Sequence, residues 1–235
     1  RDVAPSRGLG DVYKRQYDTT TDIVRLPAAD QRKRGLVVSI TADDFAVGDT
    51  VHYLSNHGIE GYFEAHKAPS IIKEVEGKKS FSFDGHQVFQ SNFSLPATLL
   101  DNAPYTLEAW ILNDSIAENE CVADFTTSHD ELEKIMLVNG TEPRCGVINH
   151  YGWYEDAGYK DMKELTGKWQ HIYICFDGRI EQVYINGKLI SEKDIQLLIK
   201  PSQYVTLGRN AEHNWPFTGY LHSLKLWDEY IPIKK

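Results

Sequence analysis

Residues 169–189 read WQHIYICFDGRIEQVYINGKL. Trp169, His171, Tyr173 and Cys175 alternate with Gln170, Ile172, Ile174 and Phe176, which is the two-residue period of a strand. Asp177-Gly178 follows, a pair that tolerates the positive φ of a tight hairpin turn. Val183, Tyr184 and Ile185 resume the strand, and Asn186-Gly187 turns it again. Local chemistry therefore predicts consecutive antiparallel hairpins.

Moving outward, the same signals recur along most of the chain. GLVVSI (35–40) reads as a short apolar strand. TADDFAVGDTVHYLSNHGIEG (41–61) reads as a loop-rich stretch, punctuated by Gly48, Gly58 and Gly61. Residues 69–75 and 79–83 read as strands, the second running into the Asp84-Gly85 turn. PYTLEAWILN (104–113) is apolar on most positions of both faces, as expected for a strand covered on both sides. CVADFT, KIMLVNG and CGVINHYGW follow, and YVTLGRN and FTGYLHSLKLWDEYI close the series. No helix of three turns is predicted, and IQLLIK (195–200) reads as strand or loop. About a dozen short strands between turns predict an all-β sandwich or barrel.

Four stretches in order resemble the laminin-G-like, concanavalin A-like lectin-glucanase jelly-roll domains. They are KSFSFDG, PYTLEAW, WQHIYICFDG…VYING and FTGYLHSLKLWD. The resemblance covers about residues 35–231. It implies a two-sheet antiparallel jelly-roll sandwich, used mostly to bind sugars or proteins outside the cytoplasm and less often to cleave glycans.

Length and composition agree with one such domain. At 235 residues and 41% hydrophobic, the chain can bury one core but not two large ones. Thirteen Tyr against two Met favour β structure. No apolar run approaches 18 residues, so no membrane span is predicted. Residues 1–16, RDVAPSRGLGDVYKRQ, look like translated sequencing-adapter sequence of the kind that ends metagenomic fragments, and are set aside. A signal peptide, if one exists, would lie upstream. Residues 17–34 read as a linker or the tail of an upstream module. The whole chain carries −9. Arg1, Arg7, Lys14 and Arg15 against Asp2 and Asp11 give the first segment +2, so the remainder carries −11. That charge repels phosphate backbones and argues against a nucleic-acid partner.

The sharpest site is the loop INHYGWYEDAGYKD (148–161). Tyr151, Trp153 and Tyr154 offer ring faces for the C–H side of a sugar, and Asp156 can orient hydroxyls. Loops on rigid β scaffolds commonly carry such sites. The same rings would equally serve to cover the end of a sandwich. Trp215, held extended by Pro216, heads a second cluster with Arg209, His213 and Asn214. Trp110, Trp169, Phe83 and Trp227 are expected in core or sheet-face packing. Domains of the resembled fold often hold calcium, for which Asp84 and Asp228 are the candidates, with a turn and a solvated Asp as the plainer alternative. Three Cys cannot all pair within one chain. Cys175 is expected to be a buried free thiol, and a Cys121–Cys145 bridge stays open. Asn92, Asn113 and Asn139 head glycosylation sequons that chance explains.

Catalysis is not expected. Retaining glycosidases of the resembled fold carry two carboxylates on one strand face, in an E-x-D-x-E pattern, about 5 Å apart. Here Glu108 stands alone among its strand neighbours, and DELE (130–133) falls in a loop. The expectation is a non-catalytic binding module, directed to a glycan or glycoconjugate, from a larger secreted, surface or periplasmic microbial protein. A structural accessory domain packed on an upstream catalytic domain of a hydrolase or lyase, or a protein–protein adhesion module, are the alternatives.

Overall fold

A computed structural model describes residues 35–126, 131–141, 146–148, 150, 166–210 and 214–233. Strands are numbered in chain order. The first sheet runs β14 (Lys188–Asp194), β13 (Ile180–Ile185), β12 (Gln170–Phe176), β8 (Tyr105–Leu112), β16 (Thr218–Trp227), β6 (Lys78–Asp84), β5 (Ser70–Val75), β2 (Thr50–Val51), with β1 (Leu36–Thr41) also paired on β16. The second runs β11 (Gly146–Ile148), β10 (Met136–Gly140), β9 (Asn119–Asp124), β15 (Thr206–Leu207), β7 (Phe89–Ser91), β4 (Tyr62–Ala65), β3 (Tyr53–Ser55). Every ladder between these strands is antiparallel. This is the jelly-roll sandwich that the family resemblance implies. Residues 1–34, including the adapter-like segment and the linker, lie outside the described residues.

The turns behave as their residues dictate. Asn186 and Gly187 both take positive φ, 50° and 77°, and join β13 to β14. At the preceding turn the Asp177 Oδ1 accepts from the Arg179 and Ile180 N–H groups, at 2.8 and 2.7 Å, which closes the loop on itself. The core lies between the sheets. Phe81, Leu107, Ile172, Ile174, Leu224 and Leu226 face Phe63, Phe89, Val122, Leu137 and Leu207 in one buried cluster. Each fully buried side chain of this size contributes about 1.5–3 kcal/mol.

Strand alternation sends Thr106, Glu108 and Trp110 of β8, and His171, Tyr173 and Cys175 of β12, to the outer face of the nine-stranded sheet. Residues 228–233 fold back over part of it as a strap. The Tyr173 hydroxyl donates to the Ile231 carbonyl at 2.7 Å, and the Thr106 hydroxyl donates to the Glu229 carbonyl at 2.7 Å. The Ile231 N–H in turn donates to Thr106 Oγ1 at 2.9 Å. Beneath lie Tyr173, Cys175, Tyr184 and Trp227, buried with Ile231. The strap explains why the outer face of β8 is buried at Thr106.

Phe83, Trp169 and Trp227 are buried as expected, whereas Trp110 is only half-buried. Its ring stacks on His171 at 4.5 Å and 14°, and the Lys78 ammonium sits 4.4 Å from its centroid. His171 Nε2 meets Glu108 Oε1 at 2.6 Å, so Glu108 is tied to a buried imidazole. Cys121 and Cys175 are both free and buried, and Cys145 lies outside the described residues.

Candidate functional site

The outer face of the seven-stranded sheet carries the residues best suited to a ligand. Leu54 and Phe63 point into the core, so their neighbours Tyr53, Ser55, Tyr62 and Glu64 point outward. The register then lays one row across the sheet: Tyr53, Glu64, Gln90, Thr206, Asp124 and Met136 stand opposite one another in turn. Tyr53 and Tyr62 are 57% and 40% exposed, large values for aromatic rings on a sheet. Their centroids lie 5.8 Å apart with an interplanar angle of 69°. The Tyr53 hydroxyl donates to Glu64 Oε1 at 3.0 Å. That hydrogen bond, with the negative charge behind it, pushes the Tyr53 phenol above its ordinary pKa.

Trp215 belongs to the same face. Opposite Leu137, alternation sends Met136 and Val138 outward with Cys121, and Trp215 packs on these three. Its backbone is pinned on both sides. The Cys121 N–H donates to the Trp215 carbonyl at 3.1 Å, and the Trp215 N–H donates to Asn210 Oδ1 at 3.1 Å. The ring is half-buried. Val138 also pairs with Ile148, the last residue of β11, so the strand that leads towards the aromatic loop lies beside the Trp215 cluster.

His150 anchors the chain just past that strand. Its Nε2 lies 2.8 Å from Glu181 Oε2, its Nδ1 faces the Lys134 carbonyl, and the Tyr105 hydroxyl donates to the same Glu181 oxygen. All three side chains are buried. Tyr151, Trp153, Tyr154 and Asp156 follow directly and lie outside the described residues, as does His213. Arg209 is half-buried beside the Gly85 carbonyl, 3.5 Å from Nη2.

Asp84 and Asp228 do not form one site. β6 and β16 are neighbours, but antiparallel pairing sets Asp84 opposite Thr218, the first residue of β16, while Asp228 follows its last. Ten residues at about 3.3 Å each put roughly 30 Å between them. Asp84 instead accepts from the His86 N–H and ring at 3.1 and 3.0 Å, and Asp228 from Thr98 Oγ1 at 2.5 Å. Among the described residues no three His, Cys, Asp or Glu side chains gather. This donor set does not fit calcium, which takes six to eight oxygens. Asn113 and Asn139 are buried in hydrogen bonds, so two of the three sequons are closed to modification in the folded chain.

Sequence reasoning missed Tyr53, Tyr62, Glu64 and Gln90. The signal was there in Tyr-Leu-Ser and Tyr-Phe-Glu, where a core residue sits between two outward ones. Strands of three and four residues, broken by glycines, are too short for that period to stand out.

Comparison with known proteins places the fold. Domain 4 of AbnA, an extracellular GH43 arabinanase of Geobacillus stearothermophilus solved with arabinotriose, aligns at a TM-score of 0.60 and 16% identity, covering 86% of this chain and 96% of that one. The sialidase of Trypanosoma rangeli, solved with 2,3-difluorosialic acid, aligns at 0.59 and 12%, covering 88% of this chain and 32% of the sialidase. The binding domain of botulinum neurotoxin DC, solved with rat synaptotagmin II, aligns at 0.55 and 14%, covering 86% of this chain and 50% of that one. The chain thus spans about a third of the sialidase and half of the neurotoxin domain. No curated protein matches it in sequence. A family model, Laminin_G_3, matches residues 85–231, more than half of the chain, and by it the chain belongs to the concanavalin A-like lectin/glucanases superfamily.

Proposed function

We propose that this domain is a non-catalytic carbohydrate-binding module, part of a larger secreted or surface protein, and that it holds a neutral glycan on the outer face of the seven-stranded sheet. The observation that carries this reading is the shared placement of Trp215 with the exposed Tyr53–Tyr62 pair and Glu64. Aromatic faces take the apolar side of a sugar ring, while a carboxylate and the Gln90 amide accept and donate to hydroxyls. The arabinotriose held by the arabinanase domain, which this chain matches over nearly its whole length, supports the same class of ligand. A net charge of −9 suits an uncharged partner better than an acidic one.

The spacing of carboxylates speaks against hydrolysis. Glu64 and Asp124 share a row but stand three strand spacings apart, about 14 Å, whereas glycosidase carboxylates work at about 5–9.5 Å. Glu108 is buried against His171 rather than presented to a substrate.

A glycan array with the full chain tests this, followed by calorimetry on the best ligand. Tyr62→Ala should weaken binding at least tenfold and leave the melting temperature within about a degree, because an exposed ring adds little to the core. Trp215→Ala should weaken it as strongly, with some loss of stability from the Cys121–Met136–Val138 cluster. Unchanged affinity in both variants would remove the support for this face. A structural accessory role is the second reading, favoured by the sialidase, in which a chain three times as long contains this fold. An array on which nothing binds would leave that role, or adhesion to a protein, in the lead.

A further inference from the structure

A second feature lies at one end of the sandwich. A cleft of about 180 Å³ opens between the Asp114–Ser115 loop and the start of β16, lined by Phe83, Asp114, Ser115, Thr218, Gly219 and Tyr220. Its two walls are clamped together from beneath by Glu120, a carboxylate 2% exposed. Glu120 accepts from Asn113 Nδ2 at 2.8 Å and the Ala117 N–H at 3.1 Å on the loop side. On the strand side it accepts from the Thr218 N–H at 2.9 Å and the Thr218 hydroxyl at 2.7 Å. Asn113 adds a bond to the Thr218 carbonyl at 2.6 Å and receives one from Asn139 at 2.8 Å. Burying a carboxylate is expensive unless its oxygens are fully satisfied. Here that investment fixes the position of both walls, as supporting shells do at binding sites.

The floor is glycine by necessity. Gly219 has φ +151°, and a Cβ there would lie 2.3 Å from the Leu112 carbonyl oxygen. The strand is pressed against β8 at this point, and no side chain rises into the cleft from that position. Asp114 and Ser115 are exposed, and among the described residues nothing engages the Asp114 carboxylate, the Ser115 hydroxyl or the Tyr220 phenol. Tyr220 alternates with the core residue Leu221 and lies under Lys73, so it points to the outer face of the nine-stranded sheet, away from Trp215.

We propose that this cleft is a single-ring sugar subsite, separate from the Tyr53–Trp215 face, that takes one terminal residue of a glycan end-on. The inference rests on the glycan reading above. Its size decides between an extended and an end-on mode, since a 180 Å³ space is well below the 300–1,000 Å³ of pockets for larger ligands. The Asp114 carboxylate accepts from two adjacent hydroxyls of that ring, and the Ser115 and Tyr220 hydroxyls donate to its oxygens. Lys73, 5.8 Å over the Tyr220 ring, holds that ring from its other neighbourhood.

The experiment uses the full chain and a panel of neutral trisaccharides: arabinotriose, xylotriose, cellotriose and galactotriose. Titration is followed by backbone amide shifts and by calorimetry. The expected result is that one of them binds and shifts the amides of Ser115 and Gly219. Asp114→Ala should then lose about tenfold in affinity and Tyr220→Phe severalfold, both with wild-type melting temperatures, since Asp114 is exposed and the phenol oxygen carries no bond among the described residues. If a trisaccharide binds and Tyr62→Ala abolishes binding while Asp114→Ala and Tyr220→Phe do not change it, the cleft is not a subsite and the sheet-face reading stands. If none of the four binds at 10 mM on the order of a weak lectin's range, the glycan reading falls and takes the cleft with it.

Discussion

At the scale of single residues, the molecule places several polar groups where only one partner arrangement suffices. Cys175 is the simplest case. Burial, with Glu181 and Asp177 adding negative charge, pushes its thiol up to about 12. The folded chain therefore keeps a proton that the unfolded chain releases near pH 9. Stability from this group is complete below pH 9 and is lost as the pH rises towards 12. Wild-type protein should lose stability to urea between pH 9 and 10.5 faster than Cys175→Ala does. Parallel pH profiles would show that the thiol is not shielded. Cys121 is pushed up as well, chiefly by burial, so neither thiol should react with a disulfide reagent at pH 8 until the fold is opened.

At the scale of elements, the strap over the nine-stranded sheet is held by two hydroxyls, those of Tyr173 and Thr106. Thr106 Oγ1 donates to Glu229 and accepts from Ile231, so Thr106→Val removes both bonds while keeping the shape. The buried Ile231 N–H loses its partner, at about 1–3 kcal/mol, and the part-buried Glu229 carbonyl loses one at about 1 kcal/mol. The expected outcome is a loss of about 2–4 kcal/mol by chemical denaturation and new protease cleavage near residue 229. A variant that resists cleavage as the wild type does would show that Tyr173 alone holds the strap. Elements also mark what could be read in advance. β12, β13 and β16 were legible because long runs end in Asp-Gly, Asn-Gly or Trp-Asp, and β8 because eight residues run with few polar breaks. β3 and β4 were not, since three or four residues give too little period. Alternation correctly put Trp110 opposite Ile111, but it says which residues share a face and not what covers that face. Only the strap's reach decides that Trp227 is buried and Trp110 half-open. Asp84 and Asp228 failed for a similar reason: adjacency of strands is visible in motif order, but antiparallel direction sends their ends apart.

At the scale of the whole molecule, the two sheets have different tasks. The outer face of the nine-stranded sheet is covered in part by the strap and by the Lys78–Trp110–His171 stack, while the seven-stranded sheet presents its tyrosines. Trp169 ties parts of the closed sheet together, its indole N–H donating to the Val75 carbonyl at 3.0 Å, from the start of β12 to the end of β5. Trp169→Ala should cost about 3–5 kcal/mol in a single cooperative transition. Unchanged stability would mean that the ring carries no packing. The fold was legible in the sequence because its longest strands keep the two-residue period and their motifs come in the order of the resembled family. Of the proposed site only Trp215 was named from the sequence, because the face is built from residues distant in sequence whose meeting is settled by register. The strap has one more consequence, of orientation. Tyr173 and Thr106 hold residues 229–231 against the face opposite Tyr53 and Tyr62, so anything joined to the carboxyl end departs from the far side. A protein coupled there to a bead, a sensor chip or a fluorescent partner turns its tyrosine face outward, and every copy is displayed the same way.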